Sequence, residues 1–292
     1  MYLPEFEYKA PRTVDELKSL LAQYGEQAKI LSGGTDLVLS MKRKELRPAC
    51  VIDVGRIGDL EGIRRDSEGG LVIGACTRFQ EIEASEAVAG DYAALTQAVS
   101  SIGSPQVRAM ATIGGNSCTA SPSADSPPAL IAFGARVKLV GQNGEREMPL
   151  EEFIQGNRTI ALQADEYLES FLLDPPWPHA ASYYLHIGLR KAMECKFVNV
   201  AVNLGLDDKR ETVRDVRIAM GAVAEKPIRV PEAEDCLKEK PAGEKEFSEA
   251  GRICAEAARP IDDFRASADY RRKIVKVLVQ RALKKACSAI RQ

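Results

Sequence analysis

Histidine is nearly missing from this chain of 292 residues, which has only His179 and His186. Two imidazoles leave little from which to assemble a multi-histidine metal site, and a Ser-His-Asp or Cys-His device would have to use one of them. Paired cysteines are missing too. Cys50, Cys76, Cys118, Cys195, Cys236, Cys254 and Cys287 are dispersed and odd in number, with no C-x-x-C spacing. That pattern argues against a disulfide framework and against a zinc or iron–sulfur site on this chain, and it reads as reduced thiols in the cytoplasm. No apolar run approaches about eighteen residues, the length that suggests a membrane span. Met1 to Pro11 has no basic head followed by an apolar stretch, which argues against secretion. An excess of one charge is also lacking. Forty basic against forty-two acidic residues leave a formal net charge of −2, with no basic stripe interleaved with aromatics, so nucleic acid is not an expected partner.

Two glycine-rich strings stand out instead: Leu31-Ser32-Gly33-Gly34-Thr35-Asp36-Leu37 and Thr112-Ile113-Gly114-Gly115-Asn116. Adjacent glycines permit positive φ and close approach of a ligand, so that successive amides can converge on phosphate oxygens. Two such strings suggest one diphosphate held from two sides. Ala28 to Leu31 reads as a buried strand and Leu37 to Leu46 as a helix whose N-terminus faces an anion. The second string precedes Ser117 to Ser126, which carries four serines, Thr119, Pro122 and Asp125 and suits a phosphate and ribose lining. Glycine pairs also serve as plain turns. Asn143-Gly144 is read that way, as a hairpin between Val137–Val140 and Glu145–Met148.

Elsewhere the pattern sketches an α+β protein. Thr13-Val14-Asp15-Glu16 is a capping box opening a helix with Leu17, Leu20 and Leu21 on one face, closing near Gly25. With the strands Ala28–Leu31 and Cys50–Val54 it forms a small β/α unit. Strands at Leu71–Ala75, Val137–Val140 and Tyr167–Leu173 then mix with helices at Arg78–Ser85, Tyr92–Ser100 and Pro128–Phe133. Pro175-Pro176-Trp177-Pro178 reads as a rigid connector, with His179 as a solvated linker residue. Beyond it, an apolar strand through Phe197, Val198, Val200, Val202 and Leu204 and another at Val216–Met220 are joined by the charged turn Asp207-Asp208-Lys209-Arg210. A long amphipathic helix runs from about Ala268 to Ala289. Its basic run Arg271-Arg272-Lys273 reads as a solvated face or a partner contact.

These strings, in this order, resemble the FAD-binding medium subunit of the xanthine dehydrogenase and carbon monoxide dehydrogenase family of molybdenum hydroxylases. The likeness begins at Phe6-Glu7-Tyr8 and takes in Ile52-Asp53-Val54, Ile73-Gly74-Ala75 and Gly103-Ser104-Pro105-Gln106-Val107-Arg108. It continues through Ala120-Ser121-Pro122 with Ala124-Asp125, Gly134-Ala135, the Pro227 region and Ser267-Ala268-Asp269-Tyr270-Arg271-Arg272. Nearly the whole chain is covered.

The resemblance implies an α+β, two-subdomain FAD-binding fold of the vanillyl-alcohol-oxidase type over residues 1–176, with subdomains of about 1–56 and 57–176. A C-terminal domain of antiparallel strands plus helices would occupy 177–292. It implies noncovalent FAD, with the diphosphate and ribityl chain on Leu31, Ser32, Gly33, Gly34, Thr35, Asp36 and Leu37 together with Thr112, Ile113, Gly114, Gly115 and Asn116. Ser104 and Ser121 fall in motifs carried over with them, and Asp125 matches an acid that hydrogen-bonds a ribose hydroxyl. Ile102 occupies a position that carries a flavin-stacking phenylalanine in animal relatives, which exchanges offset stacking for simple apolar contact. His186 departs from a lysine common near the flavin, leaving a flavin-side and a structural role open. Arg190 matches a family arginine, and Lys191 lies near the same edge as a flavin neighbour or a surface ion pair.

The implied activity is electron transfer, in which FAD carries the chemistry and no catalytic side chain or metal is expected on this chain. A small partner subunit with [2Fe–2S] clusters would deliver electrons, and a large partner would hold the molybdenum cofactor. NAD⁺ or another acceptor would receive them. Two rival classes remain at this point: a self-sufficient FAD-dependent oxidase or reductase on the same fold, and a non-flavin phosphate-binding assembly module.

Overall fold

A computed structural model of the protein describes residues 2–190 and 192–292. Lys191 therefore lies outside the described residues. The chain starts with a small parallel sheet of order β1-β3-β2, made by β1 (Glu7–Lys9), β2 (Ala28–Leu31) and β3 (Cys50–Asp53). Parallel pairing needs a crossover, and α1 (Val14–Tyr24) supplies it. Thr13 Oγ1 accepts from the Glu16 amide at 3.2 Å, as the capping-box spacing requires. The Glu16 carboxylate reaches one residue further back than expected, to the Arg12 amide at 2.7 Å. Leu17 and Leu21 are buried, and Gly25 ends the helix at φ +50°.

The helix after the first glycine pair, α2 (Leu37–Lys42), is shorter than the expected Leu37–Leu46. Lys44 takes a left-handed φ of +63°, and the amides of Lys44 and Glu45 turn back to the Met41 and Ser40 carbonyls. That left-handed closure stops the helix before Pro48.

A five-stranded antiparallel sheet follows, of order β4-β5-β10-β6-β7. Its strands are β4 (Ile63–Arg65), β5 (Leu71–Gly74), β6 (Arg136–Gly141), β7 (Gly144–Pro149) and β10 (Tyr167–Leu173), with β8 (Ile154–Gly156) and β9 (Thr159–Ile160) as a side hairpin. The hairpin between β6 and β7 turns one residue earlier than expected, at Gln142-Asn143, because Gly144 already pairs with Gly141 as the first residue of β7. Helices α3 (Phe79–Ala84), α4 (Glu86–Asp91), α5 (Ala93–Ser100), α6 (Pro105–Arg108), α7 (Ile113–Thr119), α8 (Ser126–Ala132) and α9 (Leu150–Phe153) accompany the sheet. Phe79, Ile82, Leu95, Leu130 and Phe171 are fully buried in its core, and each such side chain contributes about 1.5–3 kcal/mol through burial.

The C-terminal sheet has order β11-β12-β13-β14: β11 (Ala180–Ile187), β12 (Val198–Leu206), β13 (Val213–Gly221) and β14 (Ile228–Arg229). Every residue of β12 is buried, because both faces are covered. Val198, Val200, Val202 and Leu204 pack in one cluster with Phe247 of α11 (Glu244–Ala257) and Val275, Val279 and Leu283 of α12 (Ala268–Arg291), and α10 (Pro231–Asp235) joins at the margin. Ala201, with Tyr184 of β11 and Ala219 of β13, belongs instead to the core formed with α5 and α8. One sheet face thus welds the two parts of the chain together.

The basic run of α12 is not wholly solvated. Arg271 is buried, donates Nη1 to the carbonyls of Phe197 and Ala222 at 3.3 and 3.1 Å, and pairs with Asp263 at 2.7 Å. The charge is tolerated there because carbonyls and a carboxylate surround it.

Candidate functional site at the two glycine pairs

Gly33 and Gly34 leave the end of β2 in opposite senses. A Cβ on Gly33 would lie 2.1 Å from the Met110 carbonyl oxygen and 2.8 Å from Ala111 Cα, so this glycine lets the two glycine segments touch backbone to backbone. Gly34 has φ +71° and turns the chain into α2. Among the described residues, the amides of Gly33, Gly34, Thr35 and Asp36 find no acceptor within the protein. Four successive amides around a left-handed glycine are the donor set of an anion nest.

The second pair is built differently. Neither Gly114 nor Gly115 has positive φ; both lie in the first turn of α7, so the expected glycine loop is a helix start. Its amides are already used. Ile113 donates to the Thr77 carbonyl at 3.1 Å and Gly114 to the Ala75 carbonyl at 2.9 Å. Gly115 donates to Thr112 Oγ1 at 3.2 Å. Gly114 packs so closely on Ala75 that a Cβ would lie 2.6 Å from its carbonyl oxygen, whereas one on Gly115 would meet only Thr112 Oγ1. Gly115 is exposed and Asn116 half-buried beside it.

Thr112 joins the segments. Its hydroxyl donates to Ser32 Oγ at 3.1 Å, and Ser32 donates on to Cys76 Sγ at 3.4 Å. Asn116 Oδ1 accepts from Ser126 Oγ at 2.7 Å, and Ser121 exchanges a hydrogen bond with Ser123 at 3.2 Å. Thr35 and Leu37 are half-buried, while Asp36 is exposed at the start of α2.

A second cluster lies where β11 meets the C-terminal end of α5. Ile102 is half-buried, and the peptides on either side of it are clamped. Arg108, paired with Glu83 at 2.8 Å, donates to the Ile102 carbonyl at 3.0 Å. Lys196 Nζ donates to the Ser101 carbonyl at 2.6 Å. Ser104 caps α6 by accepting from the Val107 amide. Asp125 is buried, accepts from the Tyr184 hydroxyl and stands 3.7 Å from Lys196 Nζ. Burial pushes its carboxyl up to about 6, against the pull of Lys196 and Tyr184.

His186 is two residues along β11 from Tyr184 and on the same face, with ring centroids 5.6 Å apart. Desolvation, and then the Lys196 charge, lower its pKa below the ordinary value, so the ring is neutral at pH 7. Arg190 is exposed and folds back on its own loop, donating to Glu194 Oε2 at 3.3 Å and to the Met193 carbonyl at 2.7 Å. Lys196 and Tyr184 organise this cluster, yet neither carries a sequence signal. Lys196 is one lysine in a charged loop, and Tyr184 is one of two adjacent tyrosines.

Comparison with known proteins matches this arrangement. A model of the FAD binding domain in molybdopterin dehydrogenase covers residues 4–176, and one of the CO dehydrogenase flavoprotein C-terminal domain covers residues 183–286. The chain belongs to this family of molybdenum-hydroxylase flavoprotein subunits. The carbon monoxide dehydrogenase medium chain of Hydrogenophaga pseudoflava is 33% identical over 287 residues, 97% of each chain. The nicotinate dehydrogenase FAD-subunit of Eubacterium barkeri is 34% identical over 239 residues, 80% of each. A solved structure of carbon monoxide dehydrogenase from Hydrogenophaga pseudoflava superposes with a TM-score of 0.94 at 32% identity, over 99% of both chains.

As a flavoprotein subunit the chain thus carries an FAD-binding domain followed by a domain built on an antiparallel sheet, and its residues fit the cofactor. The free amides at Gly33 to Asp36 suit a diphosphate, and the exposed Gly115 backbone leaves the facing side open to it. Among the described residues no helix is long and apolar enough to cross a membrane, and no cluster of His, Cys, Asp or Glu is arranged to hold a metal ion.

Proposed function

We propose that the chain is the electron-transferring FAD subunit of a heteromeric molybdenum hydroxylase. In this reading it takes electrons from [2Fe–2S] clusters of a small partner subunit and passes them to NAD⁺ or another acceptor. The large partner subunit would hold the molybdenum cofactor and oxidise the organic substrate. The observation that carries the reading is the run of four unpaired amides at Gly33 to Asp36, locked against the second glycine segment by the Ser32–Thr112 hydrogen bond.

Those amides would hold the diphosphate, with Asn116 and Ser121 as further polar contacts. Ile102 would give apolar cover to the flavin ring, its peptide fixed by Arg108 and Lys196. His186 would stand at the same edge as a neutral ring. Bound FAD would supply the two-electron chemistry, so the protein's tasks are binding, orientation and electrostatic tuning. Attachment would be noncovalent. Burial raises the two nearest thiols, Cys76 to about 11 and Cys118 to about 12, which keeps both protonated and poorly nucleophilic.

The test is purification of the tagged chain from cells that express its partners, with flavin and metal analysis. One FAD per chain, released to the supernatant by acid, together with two further chains carrying iron and molybdenum, is the expected result. A colourless chain, or turnover of purines or aldehydes by this chain alone without molybdenum, would overturn the proposal.

A further inference from the structure

The inward face of the C-terminal sheet is laid out in cross-strand rows. Tyr184, Ala201 and Ala219 form the middle row, in the core shared with α5 and α8. His186, Asn199 and Gly221 form a row toward the cofactor end. Ser182, Asn203 and Arg217 form a row toward the opposite end. Ser182 is four residues from His186, about 13 Å at the usual strand rise. This far row opens into a cavity of about 250 Å³ between the two domains, which Gln97, Asp174 and Trp177 also line.

The cavity is built rather than left over. Arg217 stacks over the Trp177 ring at 5.2 Å and donates to Asp174 Oδ2 at 2.8 Å. Gly134, at φ +66°, makes room for that pair: a Cβ there would lie 2.2 Å from Arg217 Nη1 and 2.3 Å from Asp174 Oδ2. The guanidinium is therefore fixed and its charge already balanced. Asn203 is only 7% exposed and lines the cavity, and among the described residues no protein group hydrogen-bonds its carboxamide. Gln97 Oε1 is taken by the Tyr184 amide at 2.8 Å, which leaves its NH₂ group available. Ser182 Oγ accepts from the Ala94 amide at 3.0 Å and keeps its hydroxyl hydrogen.

A carboxamide that faces a cavity and is held by no protein group is free to bond whatever occupies that cavity. We propose that this cavity is a second small-molecule site, which binds an uncharged planar nitrogen heterocycle of one or two rings. The Asn203 carboxamide offers both a donor and an acceptor to the edge of such a ring. The donors of Gln97 and Ser182 extend that edge, and Trp177 supplies an aromatic wall. Because Arg217 is neutralised by Asp174, the site favours a neutral ring over an anion. It stands apart from the glycine segments and does not depend on the cofactor reading.

Trp177 is the only tryptophan of the chain, so its fluorescence reports on the cavity directly. FAD-loaded full-length protein is titrated with adenine as the probe and with benzoate as an anionic ring of comparable size. The expected result is a saturable change in Trp177 emission with adenine and none with benzoate. Asn203→Leu should weaken adenine about tenfold while FAD content is retained, and Ser182→Ala should weaken it less. If Asn203→Leu does not fold, the Ser182→Ala titration decides. No saturable response to adenine, a response to benzoate instead, unchanged adenine affinity in the folded variants, or release of FAD during the titration would each overturn the proposal.

Discussion

The two glycine pairs look alike in sequence and differ in what they do. In each, the first glycine packs against a backbone: Gly33 against Met110 and Gly114 against Ala75. The second is freer of backbone: Gly115 is exposed, and a Cβ on Gly34 would meet only the side chains of Leu31 and Val38. Beyond that the pairs diverge, because Gly34 adopts a left-handed φ and leaves its neighbours' amides unpaired, whereas the amides around Gly115 are consumed by Thr77, Ala75 and Thr112. The first pair is the donor and the second is the clamp that holds it in place. A glycine dipeptide thus says that something comes close, and only the backbone geometry says whether it is a ligand or the protein itself.

Substitution at the packing glycines should break this comparison most severely. Gly33→Ala places a Cβ inside the contact radius of a carbonyl oxygen, at the upper end of the roughly 1–3 kcal/mol that overpacking costs. The cofactor-free protein should lose that much in urea denaturation, and a variant as stable as the parent would show that the segments are not in contact. Charge sharpens the comparison next, since Asp125, ten residues beyond the second pair, is buried against Tyr184 and Lys196. Its folded pKa of about 6 lies above the unfolded value of 3.8. The folded chain therefore holds a proton between about pH 4 and pH 6 that the unfolded chain has released. Stability is fullest below that window and falls as pH rises through it, by about 3 kcal/mol. Asp125→Asn should flatten that slope; an unchanged slope would remove Asp125 from the account.

Thr112→Val deletes both the cap on Gly115 and the bond to Ser32. It should cost about 1–2 kcal/mol and weaken FAD by loosening the clamp, as read by denaturation and by flavin titration. Loss of stability with unchanged flavin affinity would separate the two segments functionally. The smallest effect is at His186. Because its pKa is lowered, the flavin midpoint potential of the parent and of His186→Gln should coincide from about pH 7 upward and separate only in acid. Separation at neutral pH would mean a charged ring.

Much of the fold was legible in the sequence where one period or one turn dominates. The β6–β7 hairpin, shifted by one residue to Gln142-Asn143, the Thr13 cap, the strands joined by Asp207 to Arg210 and the long final helix all carry such local signals, and each is present. Strand β11 was not legible. Ala180 to Ile187 shows no clean alternation of apolar and polar residues, because one face packs on helices and the other on a core with polar rows at its ends. Helix α11 hides its buried stripe in small residues, Ala250, Gly251 and Cys254. At the site, the glycine strings and Asn116 were readable, whereas Lys196 and Tyr184 gain their roles only when β11 is set beside α5 and Asp125. The buried Arg271 was masked by its basic neighbours.

The central claim is that Gly34 and its free amides hold the cofactor, whereas Gly33 holds the protein. FAD affinity and cofactor-free stability measured side by side for Gly34→Val and Gly33→Ala test it most directly. Gly34→Val cannot keep a left-handed φ without strain. It should lose stoichiometric FAD in a chain that still unfolds cooperatively, while Gly33→Ala should lose stability first. Stoichiometric FAD in folded Gly34→Val protein would contradict the account.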